Sequence, residues 1–295
     1  MKGTMLEVLR GFLHKKKNNR LPSEQNTDLS IEQIYQKQYA DGREENRLFC
    51  TKANKTEFIV TMHYIHDYLH PGARVIDIGA GMGAYSKTLA KEGYAVDALD
   101  LHPVNVARMR SVFEKTENVH VFQADARDLG GFEENAYDLA LLMGPIYHIH
   151  NTEERLHAVG EALRVVKSGA PIFIAFCLQD APLIQYVFQD KDPAAQLKTF
   201  GYDRQTATVT ENTGSSIKVE TISSVIAFID RVCEELPATK GPLFAQNGLS
   251  HTLRREINEM SAESYREWIQ YLFATAERTD LIGYSNHVVQ TLIKK

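Results

Sequence analysis

Between residues 73 and 177 the chain alternates short apolar runs with amphipathic stretches. The runs at 74 to 78, 95 to 99, 119 to 123, 137 to 143 and 171 to 177 are rich in Val, Ile, Leu and Ala and predict strands. The stretches at 84 to 92, 103 to 115 and 152 to 166 carry apolar residues at helical spacing and predict crossover helices. That alternation implies a doubly wound, mostly parallel α/β sheet covered on both faces. Ligands then bind beyond the carboxyl ends of the strands. Upstream, Phe58, Met62, Ile65 and Leu69 form one stripe of a helix that Pro71-Gly72 should terminate.

After Cys177 the pattern departs from a minimal domain. Residues 178 to 220 read as an insertion, with a helix from Ala181 to Gln189 and a polar, Thr-rich stretch from Arg204 to Glu220 that predicts a hairpin around Asn212-Thr213-Gly214. It leaves the sheet at the ligand-binding end, so it is expected to form a lid. A helix from Thr221 to Glu235, a strand from Leu236 to Phe244, helices at 249 to 258 and 261 to 276, and a last strand from Asn286 to Ile293 should complete the sheet. The expected division is an arm at 1–30 and one domain at 31–295. Within that domain 31–71 is a helical cap, 72–177 the ligand-binding core, 178–220 the insertion and 221–295 the completion.

Residues 1–30 have a different character. Leu6, Leu9 and Leu13 recur at helical spacing before the basic run His14-Lys15-Lys16-Lys17-Asn18-Asn19-Arg20. A flexible or loosely packed arm is the expectation, with a membrane-surface or partner contact through residues 5–17 as the alternative.

Composition narrows the function classes. A net charge of −5 over 295 residues gives no basic surface for coating nucleic acid, so none is expected as partner. Cys50, Cys177 and Cys233 are too few and too dispersed for a disulfide framework or a thiolate metal site, which suits a reducing cytoplasm. No apolar run approaches the ~20 residues that span a bilayer. His63, His66 and His70 would border one face of the first helix, but with no supporting carboxylate pattern they read as a partly solvated face, and no metal site is expected.

The chemistry concentrates at Val75-Ile76-Asp77-Ile78-Gly79-Ala80-Gly81-Met82-Gly83-Ala84-Tyr85-Ser86, a strand running through a glycine turn into a helix. Alternate glycines let backbone approach a ligand where a Cβ would collide. Gly79-x-Gly81-x-x-Ala84 also satisfies a dinucleotide fingerprint, which keeps an NAD-dependent oxidoreductase open. Asp77 argues against it, because a carboxylate beside the turn repels a pyrophosphate and attracts an amine. S-adenosylmethionine carries an ammonium and a sulfonium and no phosphate. Asp100, ending the second strand at the roughly 20-residue spacing of a ribose-binding acid, suits either cofactor. Asp125 with the Ala126 N–H offers the acceptor and donor that read an adenine edge.

This order of motifs resembles class I S-adenosylmethionine-dependent methyltransferases. The resemblance continues through Tyr137 to Ile149, which includes Gly144-Pro145-Ile146-Tyr147-His148, and through Arg164-Val165-Val166-Lys167-Ser168-Gly169, where Ser168 replaces the usual proline. Glu277-Arg278-x-x-Leu281-x-Gly283-x-Ser285-Asn286-His287 adds similarity to a bacterial group of small-molecule methyltransferases. The resemblance implies a Rossmann-like, seven-stranded sheet whose last strand is antiparallel. It places Asp77, Gly79, Ala80, Gly81 and Gly83 along the methionine half of the cofactor, Asp100 and Leu101 at the ribose, Asp125 and Ala126 at the adenine, and Met143 at the end of the fourth strand where the methyl emerges. Arg47 would pair with the methionine carboxylate from the cap, or else is a surface arginine among acids.

Methyl transfer from a sulfonium needs no covalent enzyme intermediate, and proximity supplies much of the acceleration. His148 is the candidate base and Tyr147 the candidate for orienting the acceptor, with Tyr85 and Cys177 nearby; the competing reading of His148 is a residue bonding the adjacent turn. The Asp/Asn-Pro-Pro-aromatic pattern of nucleobase amine methylation is absent, so a small molecule methylated on O or N is expected. A non-catalytic S-adenosylmethionine-binding or scaffold protein is the alternative from another class.

Overall fold

The structure, a computed structural model, describes residues 47–209 and 217–295. The expected arm, the cap as far as residue 46 and the turn at 212–214 lie outside the described residues.

Helix α1 (Lys52–His66) starts where the Thr51 hydroxyl accepts from the Asn54 amide at 3.1 Å. It stops at His66, short of Leu69, with Pro71 and Gly72 beyond it. The core then follows the alternation of the sequence: β1 (Arg74–Ile78), α2 (Ala84–Lys91), β2 (Ala95–Asp100), α3 (Pro103–Phe113), β3 (Val119–Gln123), β4 (Leu139–Leu142), α4 (Thr152–Val165) and β5 (Pro171–Leu178). After the insertion come α6 (Ile222–Glu235), β9 (Ala238–Ala245), α7 (Arg254–Glu259), α8 (Ala262–Thr275) and β10 (His287–Lys294). Strand order is β3-β2-β1-β4-β5-β10-β9. β1 through β5 pair in parallel, and β10 is antiparallel to both β5 and β9.

The period-two alternation decides the layers. Ile76, Ile78, Leu142, Ile172 and Ile174 face one core with α4 and α6, whereas Val75, Leu139, Leu141 and Phe173 face another with α1, α2 and α8. β4 is shorter than the apolar run predicts. Tyr137 makes only an isolated bridge to Val166, because its hydroxyl is drawn to the Asp97 carboxylate at 2.6 Å.

The insertion differs most from expectation. In place of one helix from Ala181 to Gln189 there is a helical turn at Asp180–Pro182 and a wider π turn at Leu183–Val187, which carries Gln185 into contact with Asn286. α5 (Pro193–Thr199) follows. A hairpin is present, but earlier in the chain: β6 (Tyr202–Asp203) pairs with β7 (Thr208–Val209). Asp203 closes that turn by accepting from the Gln205 amide, and the Gln179 side chain clamps it at Ala207 and Val209, both at 2.8 Å. β8 (Val219–Glu220) then adds a short eighth strand, parallel to β5. α7 begins at Arg254, later than predicted, since the Ser250 hydroxyl is held by the Trp268 indole and residues 249–253 stay in turns.

One buried ion pair ties the insertion's exit to the core. Arg155 of α4, 1% exposed, forms a bidentate pair with Glu220 at 3.0 and 2.7 Å and is sandwiched by the Phe176 and Phe228 rings. Removing one partner strands the other charge in a low-dielectric layer. Arg155→Met is therefore expected to cost about 3–5 kcal/mol, with Arg155→Met/Glu220→Leu recovering most of it. Chemical denaturation of the three proteins checks this, and an additive double mutant would refute the coupling.

Candidate active site

The turns after β1 and β4 interlock, and this forms the site. Gly79, Gly81 and Gly83 all have positive φ, at 76°, 58° and 72°. A Cβ on Gly79 would lie 2.5 Å from Pro145, and one on Gly144 would lie 2.9 Å from the Gly79 carbonyl oxygen. Nothing lies within 4 Å of a Cβ built on Gly81, so that side of the turn is open for a ligand. The Gly79 and Ala80 amides both donate to the Leu99 carbonyl at 2.8 Å, fastening the turn to β2.

Asp77 is 3% exposed and accepts from the Ser86 hydroxyl at 2.6 Å. No cation pairs with it among the described residues. Burial pushes its carboxyl up to about 6, against the Ser86 hydrogen bonds and with a further push from Asp100. A buried carboxylate without counter-charge, at the mouth of an open glycine turn, fits a cationic amine and disfavours a pyrophosphate.

Asp100 lies beside it and is already engaged. Its carboxylate accepts from the Gly81 amide at 2.9 Å, the His102 amide at 2.8 Å and Asn105 Nδ2 at 3.2 Å, so a ribose would share it with the protein. Leu101, 58% exposed, offers an apolar surface next to it. Asp125 follows β3, and its carboxylate is gripped by the Arg127 side chain and amide, while Arg127 also reaches Glu154. Reading an adenine amine there requires Asp125 to accept in addition to this pair. Ala126 is buried, and Met143 is half-buried against the core.

A short 3-10 turn, Pro145–Tyr147, ends in His148, whose amide donates to the Pro145 carbonyl at 2.9 Å. The Tyr147 and His148 rings lie 4.8 Å apart.

Arg47 does not stand open toward the glycine turn. Both its terminal nitrogens donate to Glu57, at 3.0 and 3.1 Å. Glu57, on the apolar side of α1, is a buried hub that also pairs with His287 Nδ1 at 3.0 Å. Burial opposes its charge, yet Arg47 and His287 hold the carboxyl well below the usual range. The His287 imidazole responds in the opposite sense: burial opposes its proton, but Glu57 outweighs this and raises it to about 10. His287 faces Cys177 across the β5–β10 ladder. The Tyr85 ring stacks on Phe58, and its buried hydroxyl has no hydrogen-bond partner; burial, then Glu57, pushes the phenol far up, with Asp77 adding to it.

The structure thus brings Asp77, the glycines, Asp100, Leu101, Met143, Tyr147 and His148 to one end of the sheet. It adds Glu57 and His287, which the sequence reading missed. The one available signal was an acid interrupting an apolar helix stripe, and such an acid normally faces solvent. His63, His66 and His70 do not act together: His63 stacks on Phe273, His66 pairs with Glu92, and His70 lies beyond the helix near Asp138.

Comparison with known proteins agrees with this geometry. Residues 75–169 match the family model of a methyltransferase domain. Over 119 residues the chain is 31% identical to the ubiquinone biosynthesis O-methyltransferase of Xanthomonas axonopodis pv. citri (strain 306), covering 39% of this chain and 48% of that protein. The chain thus spans about half the length of the curated relatives it matches. A methyltransferase chain solved with the Haloferax volcanii Trm112 methyltransferase activator superimposes with a TM-score of 0.53 at 15% identity, over 86% of this chain and 95% of that one. The PH0226 protein from Pyrococcus horikoshii OT3 does so with 0.51 at 16% identity, over 85% and 99%. At such identities these two structures speak for the fold alone. Motifs, fold and family match agree: the core of the chain is a class I S-adenosylmethionine-dependent methyltransferase domain.

Two pH dependences follow. The Asp77 carboxyl sits above its ordinary 3.8, so acidification relieves its burial penalty in the ligand-free protein while removing the charge that attracts an ammonium. Affinity for S-adenosylhomocysteine, measured by calorimetry, is expected to fall below about pH 6, and a flat profile down to about pH 5 would refute the role of Asp77. His287, raised from 6.5 to about 10, contributes stability that is complete below 6.5 and is lost as pH rises through 10. Melting temperatures across that interval should decline more steeply in the wild type than in His287→Gln.

Proposed function

We propose that this chain transfers a methyl group from S-adenosylmethionine to an oxygen or nitrogen of a small-molecule acceptor, in the cytoplasm. The buried, uncompensated Asp77 beside the open Gly81 turn carries the reading. The bound cofactor supplies a methyl group on a positively charged sulfur that an in-line nucleophile can displace. Asp77 holds the amino group, and the open face of the turn at Gly81 lines the methionine portion. Asp100 takes the ribose with Leu101 beside it, Asp125 with Ala126 flanks the adenine, and Met143 borders the sulfur.

His148, at the end of the turn after β4, takes the proton of an acceptor O–H or N–H as the acceptor's lone pair forms the new bond to the methyl carbon, and Tyr147 orients that acceptor. The O-methyltransferase relative favours oxygen as the acceptor atom. Residues 178–220 act as the lid, and Arg47 as a cap residue positioned by Glu57.

A thermal-shift titration with S-adenosylmethionine, S-adenosylhomocysteine and NAD tests the cofactor. Saturation at a hundred times the dissociation constant adds about 2.7 kcal/mol, and only the two sulfur ligands are expected to act. A response to NAD alone would return the glycine turn to a dinucleotide. Once an acceptor is found by screening, His148→Ala should lower kcat by about 10²–10⁴ with S-adenosylhomocysteine affinity unchanged; undiminished turnover would remove His148 as base.

A further inference from the structure

Beyond the start of β10 stands a cation that no carboxylate of the described residues neutralises. Arg254, the first residue of α7, donates from a terminal nitrogen to Nδ1 of His251 at 2.7 Å, and its buried Nε has no hydrogen-bond partner. No carboxylate among the described residues pairs with it. His251 does not serve as counter-ion: burial, then the Arg254 charge, pushes its imidazole down to about 3, leaving a neutral acceptor. Against Arg254 lies Tyr186 from the insertion, whose buried hydroxyl has no partner other than Arg254 itself.

The neighbourhood is tied to the end of the sheet. Gln185 bonds both Thr252 and Asn286 at 3.2 Å, and Asn286 precedes His287, which faces Cys177 at the end of β5. Arg155 offers the contrast within the same chain. Its Nε is likewise unpartnered, but Glu220 matches its charge. Arg254 as a whole is half-buried, but an arginine cannot shed its proton, and its shielded Nε is costly to leave unmatched unless a ligand completes it.

We propose that Arg254 and Tyr186 form the subsite for a carboxylate on the methyl acceptor, which makes the substrate a carboxylate-bearing small molecule. This rests on the methyltransferase reading above. The planar fork of Arg254, with Nε and a terminal nitrogen side by side, matches the two oxygens of a carboxylate, and the Tyr186 hydroxyl donates a third hydrogen bond. Because Gln185 and Tyr186 come from the insertion, binding of the anion also holds the lid.

The test is calorimetry on the full chain. Affinity for S-adenosylhomocysteine is measured first, and then, on the saturated protein, affinities for benzoate against benzamide and for hexanoate against hexanamide. At least one acid should bind about tenfold or more tighter than its amide. Arg254→Met should abolish that preference, Arg254→Lys should restore part of it, and Tyr186→Phe should weaken it, with ligand-free melting temperatures confirming that each variant folds. Equal binding of acids and amides, no acid binding up to about 10 mM, or an acid affinity unchanged in a folded Arg254→Met would overturn the proposal. Weakened S-adenosylhomocysteine binding in Arg254→Met would assign the subsite to the cofactor's own carboxylate and equally overturn it. Failure of the wild type to bind S-adenosylhomocysteine would refute the methyltransferase reading itself, and with it this proposal.

Discussion

Everything at the ligand-binding end depends on the close approach of two backbone turns, Gly79 against Gly144-Pro145. Neither position tolerates a Cβ, so β1 and β4 lie side by side with their following loops interlocked. The left-handed backbone at Gly79, Gly81 and Gly83 turns the chain from strand to helix within five residues, and Leu99 and Asp100 of β2 hold it there through backbone amides. The 3-10 turn that presents Tyr147 and His148 starts from that contact. A side chain at either glycine would part the strands and displace both halves of the site at once.

Charge follows a second logic. The buried Arg155–Glu220 pair, and buried Glu57 with its partly exposed partners Arg47 and His287, are matched in sign and geometry and join distant parts of the fold. They fix the insertion to α4 and α1 to β10. Asp77 and Arg254 differ from these pairs: Asp77 is buried, Arg254 is half-buried with a shielded Nε, and neither meets an opposite charge among the described residues. Burial without an opposite charge is unfavourable; the equally buried Asp100 is offset by two amides and Asn105. On the readings proposed above, ligand charge completes both positions, an ammonium at Asp77 and an anion at Arg254.

Much of the framework was legible in the sequence. β1, β3 and the crossover helices fall within a residue or two of the predicted bounds, because a doubly covered sheet demands continuous apolar strands and the intervening helices repeat at their own period. The glycine turn, Asp77, Asp100 and the Gly144-to-His148 turn were legible because they sit at strand ends, where chain position alone fixes spatial position. Residues 178 to 220 were read less well. Pro182 sits in a turn that widens to a π turn, and the hairpin closes on Asp203 through a local side-chain bond and a clamp from Gln179, which lies far back in the chain. The surroundings of Asp125 were also only half legible, since Arg127, two residues on, curls back onto the carboxylate expected to read an adenine.

Sequence by itself determined the layer order, the strand ends and the cofactor cradle, because each rests on local periodicity, on glycine's unique backbone range and on the reach of adjacent residues. Tertiary structure alone decided which charges are paired. Glu57 meets His287 across 230 positions and Arg155 meets Glu220 across 65. No local pattern encodes such meetings, because they depend on where β10 enters the sheet and where the insertion returns. The same long-range packing sets Tyr186 of the insertion against Arg254 of α7, with no carboxylate of the described residues paired to the arginine, so that juxtaposition is a property of the fold.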